Sequence, residues 1–242
     1  MTDDIKRFCE IINGSDNVVF FGGAGVSTES GIKDFRSVDG LYNEKYKYPP
    51  EEILSRTFFF NNTEEFYRFY RDKLLIEGVK PNVTHYALAE LEKRGKLKAV
   101  VTQNIDDLHE AAGSKNVFHL HGGIDRYFCL NCRKKYDLDY VKSVSGVPHC
   151  SCGGILKPDV VLYEETLDDA TVKGAVEYIS EADVLIVGGT SLVVYPAAGL
   201  IEYYGGNKLI LINKQPTPYD RYADLVINKG LGEVFGALGL TD

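Results

Sequence analysis

Apolar residues fall in short unbroken runs along this chain. NVVFFG (17–22), LKAVVTQN (97–104), VFHLHG (117–122), VLIVGG (184–189), LILIN (209–213) and DLVIN (224–228) are rich in Val, Ile and Leu and bounded by Gly or Asn. Each predicts a strand buried on both faces, because a half-exposed strand would alternate polar and apolar residues. Residues 83–94, 167–180 and 196–204 carry apolar positions at helical spacing. Strand and helix in turn predict a doubly wound α/β fold, a parallel sheet in a Rossmann-like domain.

Two stretches interrupt this rhythm. Residues 41–79 are rich in Tyr, Phe, Glu and Lys and predict short helices, while 123–157 carry a cysteine cluster. Both read as insertions that together build a smaller domain. The expected division is 1–40, 80–122 and 158–242 for the Rossmann-like nucleotide-binding domain, with 41–79 and 123–157 forming the small one.

Composition narrows the class. A chain of 242 residues suits one large domain or a domain with an inserted module. Lys and Arg total 27 against 35 Asp and Glu, a net charge of −8. A nucleic-acid binder would normally be basic, so none is expected; a basic peptide stays compatible. The N-terminus, MTDDIKRFCEIINGSDN, lacks the basic start and apolar core of a secretory signal. No apolar run approaches the length of a membrane span. A cytoplasmic, monomeric protein is expected.

Candidate chemistry begins at Gly23-Ala24-Gly25, directly after the first predicted strand. Glycine lets a phosphate approach the main chain, and a following helix would offer N–H groups to an anion. The dinucleotide fingerprint is incomplete: Thr28 stands at the third glycine position, and no second strand ends in a ribose-binding acid about 20 residues on. A tight turn without a ligand fits the glycines alone. The polar cluster of Ser27, Ser30, Asp34 and Arg36 favours a ligand.

Two further strand ends carry polar groups, where ligands bind in open α/β sheets. TQNIDDLH (102–109) supplies Gln103, Asn104, Asp106 and His109. Asp106 also suits a helix N-cap, and His109 reads as a packing or surface histidine. HLHGG (119–123) supplies His119 and His121, which on a strand share a face. His121 is closer to the carboxyl end, with two glycines leaving space beside it. A histidine there can act as general base or simply be hydrogen-bonded. Cys129-x-x-Cys132 and Cys150-x-Cys152, 17 residues apart, read as one structural zinc site. The shortened second pair predicts weaker affinity, with His149 as an alternative ligand.

Taken in order, GAGVS-x-x-SGI-x-DFR, TQNID-x-LH, LHG, the paired cysteines, KPDVVLYEE and GTSLVVYPAA resemble the sirtuins, NAD-dependent protein lysine deacylases, over about residues 15–238. The incomplete fingerprint then makes sense, because the cofactor is cleaved at its glycosidic bond and donates no hydride. The resemblance implies that Gly23, Ala24, Gly25, Ser27 and Thr28 hold the NAD diphosphate. It implies that Asp34, Phe35 and Arg36 lie over the nicotinamide ribose and that Gln103, Asn104, Ile105 and Asp106 line the nicotinamide pocket. Asp106 would hold the carboxamide, Asn104 would position ribose and water, and His121 would be the base. Gly189, Thr190, Ser191, Asn213, Lys214 and Leu231 would contact the adenosine half. Val160, Val161 and Tyr163 would receive an acyl-lysine peptide, although core packing explains the valines equally well.

Some sirtuins remove succinyl or malonyl groups and share a Tyr-x-x-Arg pair. Here EEFYRFYRD (64–72) gives Tyr67-x-x-Tyr70, which points to acetyl or longer neutral chains. An ADP-ribosyltransferase or NAD glycohydrolase of the same fold and a non-catalytic NAD sensor are the competing classes. Asn104, Asp106 and His121 with the substrate strand favour deacylation.

Overall fold

The computed structural model describes residues 1–37, 39–43 and 46–240. Glu44 and Lys45 of the expected helical insertion, and Val38, Thr241 and Asp242 of the expected main domain, lie outside the described residues. Helix α1 (Asp3–Asn13) carries Asp3 and Asp4 in its first turn, at the positive end of the helix dipole. Its Ile5, Phe8 and Ile12 fall on one buried face. Strand β1 (Val18–Gly22) is buried at every position. Three short helices follow: α2 (Pro50–Ile53), α3 (Arg56–Asn61) and α4 (Thr63–Lys73). Helix α5 (Val83–Lys93) starts at a reciprocal cap, in which the Asn82 side chain accepts from the Thr84 N–H and the His85 ring from the Asn82 N–H.

Next come β2 (Leu97–Thr102), α6 (Leu108–Ala112), β3 (Val117–His119), β4 (Gly122–Cys129), β5 (Lys135–Asp137), α7 (Leu138–Ser143) and β6 (Leu156–Val160). The chain closes with α8 (Asp169–Glu181), β7 (Val184–Gly188), a 3-10 segment (Ala197–Tyr203), β8 (Leu209–Ile212), β9 (Leu225–Ile227) and α9 (Leu231–Gly236).

Among the described residues, six strands form a parallel sheet in the order β3-β2-β1-β7-β8-β9. This is the doubly wound arrangement, with β1 central and a crevice at the carboxyl ends of β1, β2 and β7. One core on one face gathers Phe8, Phe20, Leu88 and Phe235; a second on the other gathers Phe21, Leu120, Ile179 and Leu185. A three-stranded antiparallel sheet, β5-β4-β6, lies apart. It shares a third core with α2–α4: Phe59, Phe66, Tyr67 and Tyr70 pack with Tyr127, Cys129, Leu156 and Val160.

Local structure departs from expectation in three places. No α-helix follows the glycine loop; two single 3-10 turns (Ala24–Val26 and Thr28–Ser30) stand there. The helical spacing at 196–204 forms a 3-10 segment. The strand expected over 117–122 ends at His119, so His119 and His121 do not share a strand face.

Candidate active site

Gly22 at the end of β1 is in register with Thr102 of β2 and Gly188 of β7, so three chain segments leave the sheet side by side. Gly23 N–H donates to the Gly188 carbonyl at 3.1 Å and Gly25 N–H to the Gly189 carbonyl at 2.8 Å. A Cβ on Gly25 would lie 2.7 Å from Gly189 Cα. Two backbones therefore meet at these glycines, a close approach that glycine permits. The N–H groups of Val26 and Ser27 close turns onto the Gly23 and Ala24 carbonyls at 2.9 and 3.1 Å. This corrects the expected supply of free helix N-terminal donors. Thr28, in the missing third-glycine position, donates its hydroxyl to the Gly25 carbonyl and braces the same turn.

Behind this loop lies a buried polar chain. Asn104 Nδ2 donates to Ser27 Oγ at 3.1 Å, and Ser27 Oγ donates to Asp106 Oδ2 at 2.8 Å. Asp106 Oδ1 accepts from Leu108 N–H at the start of α6, so the carboxylate also serves the helix terminus. Burial raises the Asp106 carboxyl above its ordinary range, against the pull of the Ser27 and Leu108 bonds. Gln103 Nε2 donates to Thr190 Oγ1, tying the β2 end to the β7 end. Ile105 packs toward the third core, and its carbonyl accepts from Ile124 N–H.

The histidines separate cleanly. His121 Nδ1 lies 2.8 Å from the Gln103 carbonyl. A carbonyl only accepts, so Nδ1 carries the proton and Nε2 is the basic nitrogen. Burial lowers the His121 pKa, and the Gln103 carbonyl opposes this in part. The ring is therefore neutral at pH 7. His119 takes another role: its Nε2 lies 2.5 Å from Glu110 Oε1. Burial alone would lower its pKa, but the Glu110 carboxylate prevails and raises it. His109 is a packing residue, fully buried between Phe20 and His85, with ring centroids at 6.3 and 4.8 Å.

Gly122 follows His121 with φ +71°, and a Cβ there would lie 1.8 Å from the Asp159 carbonyl oxygen. The glycine thus lets β4 meet β6, rather than opening space beside the histidine. Val161 N–H donates to the His121 carbonyl at 3.0 Å, which sets the KPDVV segment against the histidine. Val160 is buried in the third core, and Val161 packs on the second. Lys157, buried behind this segment, donates to the Val160 carbonyl and to Glu165.

Asp34 bonds the N–H groups of Arg36 and Ser37, and Phe35 packs on Tyr42. Ser191 is half-buried beside Thr190. Asn213 and exposed Lys214 follow β8, with Lys214 Cε 3.6 Å from the position of a Cβ on Gly230. Leu231 is a core residue whose methyl group lies directly against Gly188.

Sequence reasoning missed Asn82, whose amide donates to the Val26 carbonyl and Ser30 Oγ and so holds the glycine loop from the side. Its place directly before the helical spacing of 83–94 is the signal that could have found it, since Asn is a favoured helix cap. It missed Tyr42 and the Glu110–His119 pair as well.

The four cysteine Sγ atoms lie within 4.8 Å of one another, three of the separations being 3.5 Å. Tetrahedral zinc with bonds of about 2.3 Å needs sulfurs about 3.8 Å apart. The shortened Cys150-x-Cys152 pair therefore reaches the cluster without help from His149. Backbone N–H groups of Cys132 and Asn131 lower the Cys129 pKa, favouring the thiolate that a metal needs.

Fold and crevice together define a doubly wound α/β protein with a histidine hydrogen-bonded at the end of β2 and a four-cysteine cluster that fits a metal ion. The Sir2 family profile matches residues 23–196. A Clostridium acetobutylicum protein described as an NAD-dependent protein deacetylase is 60% identical over 238 residues, covering 97% of each chain. One from Clostridium perfringens with the same description is 59% identical over 240 residues, covering 98% of each. Among solved structures, a Sir2 enzyme superposes with a TM-score of 0.90 at 42% identity, covering 98% of this chain and 97% of the other. A Sir2–p53 peptide–NAD+ complex superposes at 0.87 with 39% identity, covering 98% and 97%. The chain belongs to the Sir2 family.

Proposed function

We propose that this protein is an NAD-dependent protein lysine deacetylase that converts acetyl-lysine and NAD into lysine, nicotinamide and O-acetyl-ADP-ribose. The observation that carries this reading is that the end of β2 holds both the buried Asn104–Ser27–Asp106 chain and, through the Gln103 carbonyl, the Nδ1 of His121. NAD supplies an electrophilic C1′ and a nicotinamide leaving group, and the acyl-lysine carbonyl oxygen is the nucleophile.

The chain's residues would divide the work. Gly23, Ala24, Gly25, Ser27 and Thr28 hold the diphosphate, and Asp34, Phe35 and Arg36 cover the nicotinamide ribose. Gln103, Asn104, Ile105 and Asp106 line the nicotinamide pocket. Asp106, buried and hydrogen-bonded to Ser27, accepts from the carboxamide; Asn104 orients ribose and water. His121 Nε2 takes a ribose hydroxyl proton, so that this oxygen can reach the acyl carbon. Gly189, Thr190, Ser191, Asn213 and Lys214 receive the adenosine half, with Leu231 supporting them from the core. Val160, Val161 and Tyr163 receive the acyl-lysine of an extended peptide.

We further infer a two-domain division, with 41–79 and 123–157 as the small domain: the third core joins them. The four cysteines would hold one structural zinc ion. Cysteine used for metal rather than disulfides suits the cytoplasm, where a monomer is expected. Among the described residues no helix is long and apolar enough to cross a membrane.

Mass spectrometry of an acetyl-lysine peptide incubated with and without NAD tests the reading. NAD-dependent loss of the acetyl mass, with acetyl-ADP-ribose appearing, is expected. Nicotinamide release without any change in the peptide would replace it with a glycohydrolase.

A further inference from the structure

Three side chains from three segments, Arg36, Tyr42 and Tyr163, meet one another. Tyr163 Oη lies 2.7 Å from Tyr42 Oη and accepts a 3.2 Å hydrogen bond from Arg36 Nη2. The Arg36 guanidinium carbon sits 5.1 Å from the centroid of the Tyr42 ring, and Phe35 packs on the same ring at 5.4 Å. One phenol thus holds the guanidinium by its oxygen, while a second holds it by its π face and touches Phe35.

The backbones that carry these groups are tied separately. Leu41 and Tyr42 N–H donate to the Asp34 and Phe35 carbonyls, both at 2.9 Å. Tyr163 N–H donates to the Leu54 carbonyl at 3.0 Å, and its own carbonyl accepts from Arg56 N–H at 2.9 Å. Main-chain bonds therefore join loop 34–36 to 41–42 and residue 163 to 54–56. Among the described residues, the hydrogen bonds that join the first pair of segments to the second run through the Tyr163 hydroxyl, beside the packing of Phe35 on the third core.

We propose that Tyr163 and Tyr42 are positioning residues that couple the acyl-lysine seat to the cofactor loop. A peptide laid along 160–165 sets the Tyr163 ring; the Tyr163 hydroxyl sets Arg36; Tyr42 passes the constraint to Phe35. The proposal rests on the assignment of 34–36 to NAD and 160–163 to the peptide made above. As positioning residues, both tyrosines should show their effect in NAD binding rather than in the chemical step.

The test is steady-state kinetics and NAD calorimetry on Tyr163→Phe, Tyr42→Phe and the double variant. Each change deletes one oxygen and keeps the ring. Loss of the Arg36 bond in Tyr163→Phe should raise the NAD KM and Kd about three- to tenfold, and Tyr42→Phe, which loses only the hydroxyl–hydroxyl contact, should raise them less. The double variant should be no worse than Tyr163→Phe, which already deletes both the Arg36 bond and the Tyr42 bond. Peptide KM in Tyr42→Phe and the thermal midpoint of all three variants should stay near wild type. An unchanged NAD KM in Tyr163→Phe, or a rise confined to peptide KM, would overturn the proposal. If the wild type released no nicotinamide with acetylated peptide, the deacetylase reading would fall. The NAD Kd would still decide the coupling.

Discussion

The Ser27 hydroxyl donates to Asp106 at 2.8 Å and joins the loop after β1 to the loop after β2, 79 residues apart in sequence. It is one of two bonds that hold a buried carboxyl toward its charged form against desolvation. Ser27→Ala should raise the Asp106 pKa further and weaken the carboxylate's grip on an amide donor. The NAD KM should rise about tenfold or more at pH 7, since bonds to charged groups contribute about 1.5–3 kcal/mol. Part of the loss should return as the pH is raised, because a higher pH favours the ionised carboxyl. A pH-independent defect in NAD KM would show that Ser27 acts only by shape.

His121 gives the acid limb. A base works when neutral, and burial lowers its pKa below the ordinary 6.5. Activity should therefore hold as pH falls to 6.5 and decline only below it. His121→Ala should lower kcat by 10²–10⁴, the range for a general base, and remove that limb from any residual activity. An acid limb centred above pH 7 would mean that another group controls the rate.

The main sheet was legible because its strands are buried on both faces, and continuous apolar runs such as VVFFG permit little else. The site was partly legible because three of its segments are strand ends. What sequence could not show were contacts between segments. Gly122 appears as free space beside a histidine until β6 is seen to approach it. The spacing of His119 and His121 implies a shared face until the strand is seen to stop between them. Tyr42 carries no local signal at all, since its role depends on Tyr163, 121 residues away.

Removal of metal should loosen the small module. Cys129 and Cys150 are buried in the third core beside Tyr127 and Leu156, so the ion would staple β4 to the loop before β6. One zinc per chain is expected by elemental analysis. Chelation should lower the thermal midpoint by about 10 °C or more, since a structural zinc site contributes folding energy directly. Cys152→Ser should do the same without chelator. A chelator-treated protein that melted like the native one would mean that the four thiols are not a metal site.

Acid should destabilise the fold through α5. Burial lowers the His85 pKa to about 4, and its neutral Nδ1 accepts from the Asn82 N–H at the helix cap. The unfolded chain gains a proton near pH 6.5 that the folded chain refuses until about pH 4. Stability is thus full above pH 6.5 and falls between 6.5 and 4, by an amount on the order of 3 kcal/mol. Neighbouring His109, also held neutral by burial, acts in the same sense, whereas His119, paired with Glu110, acts in the opposite one. His85→Gln can keep the cap while losing the titration. Urea unfolding at pH 7 and pH 5 should show a smaller pH loss in the variant, and equal losses would remove His85 from the account.

The acyl group should be neutral. Tyr67 and Tyr70 are both fully buried: the first donates to the Leu156 carbonyl at 2.5 Å, and the second sits 3.1 Å from the Tyr127 hydroxyl. Neither phenol is free to receive a carboxylate. Arg71 is committed to the Val141 and Gly146 carbonyls, and Arg68 pairs with Glu65 on the outside of α4. The helix therefore presents no spare cation to the core that contains Val160. A succinyl carboxylate entering there would lose its hydration without gaining a partner. On one peptide sequence, kcat/KM for acetyl-lysine should exceed that for succinyl-lysine by about 10²-fold or more, the cost of stranding a charge by some 3 kcal/mol. Propionyl-lysine, which adds one methylene and no charge, should stay within about tenfold of acetyl. Succinyl removal as fast as acetyl removal would mean that a cation from elsewhere in the chain reaches the acyl end.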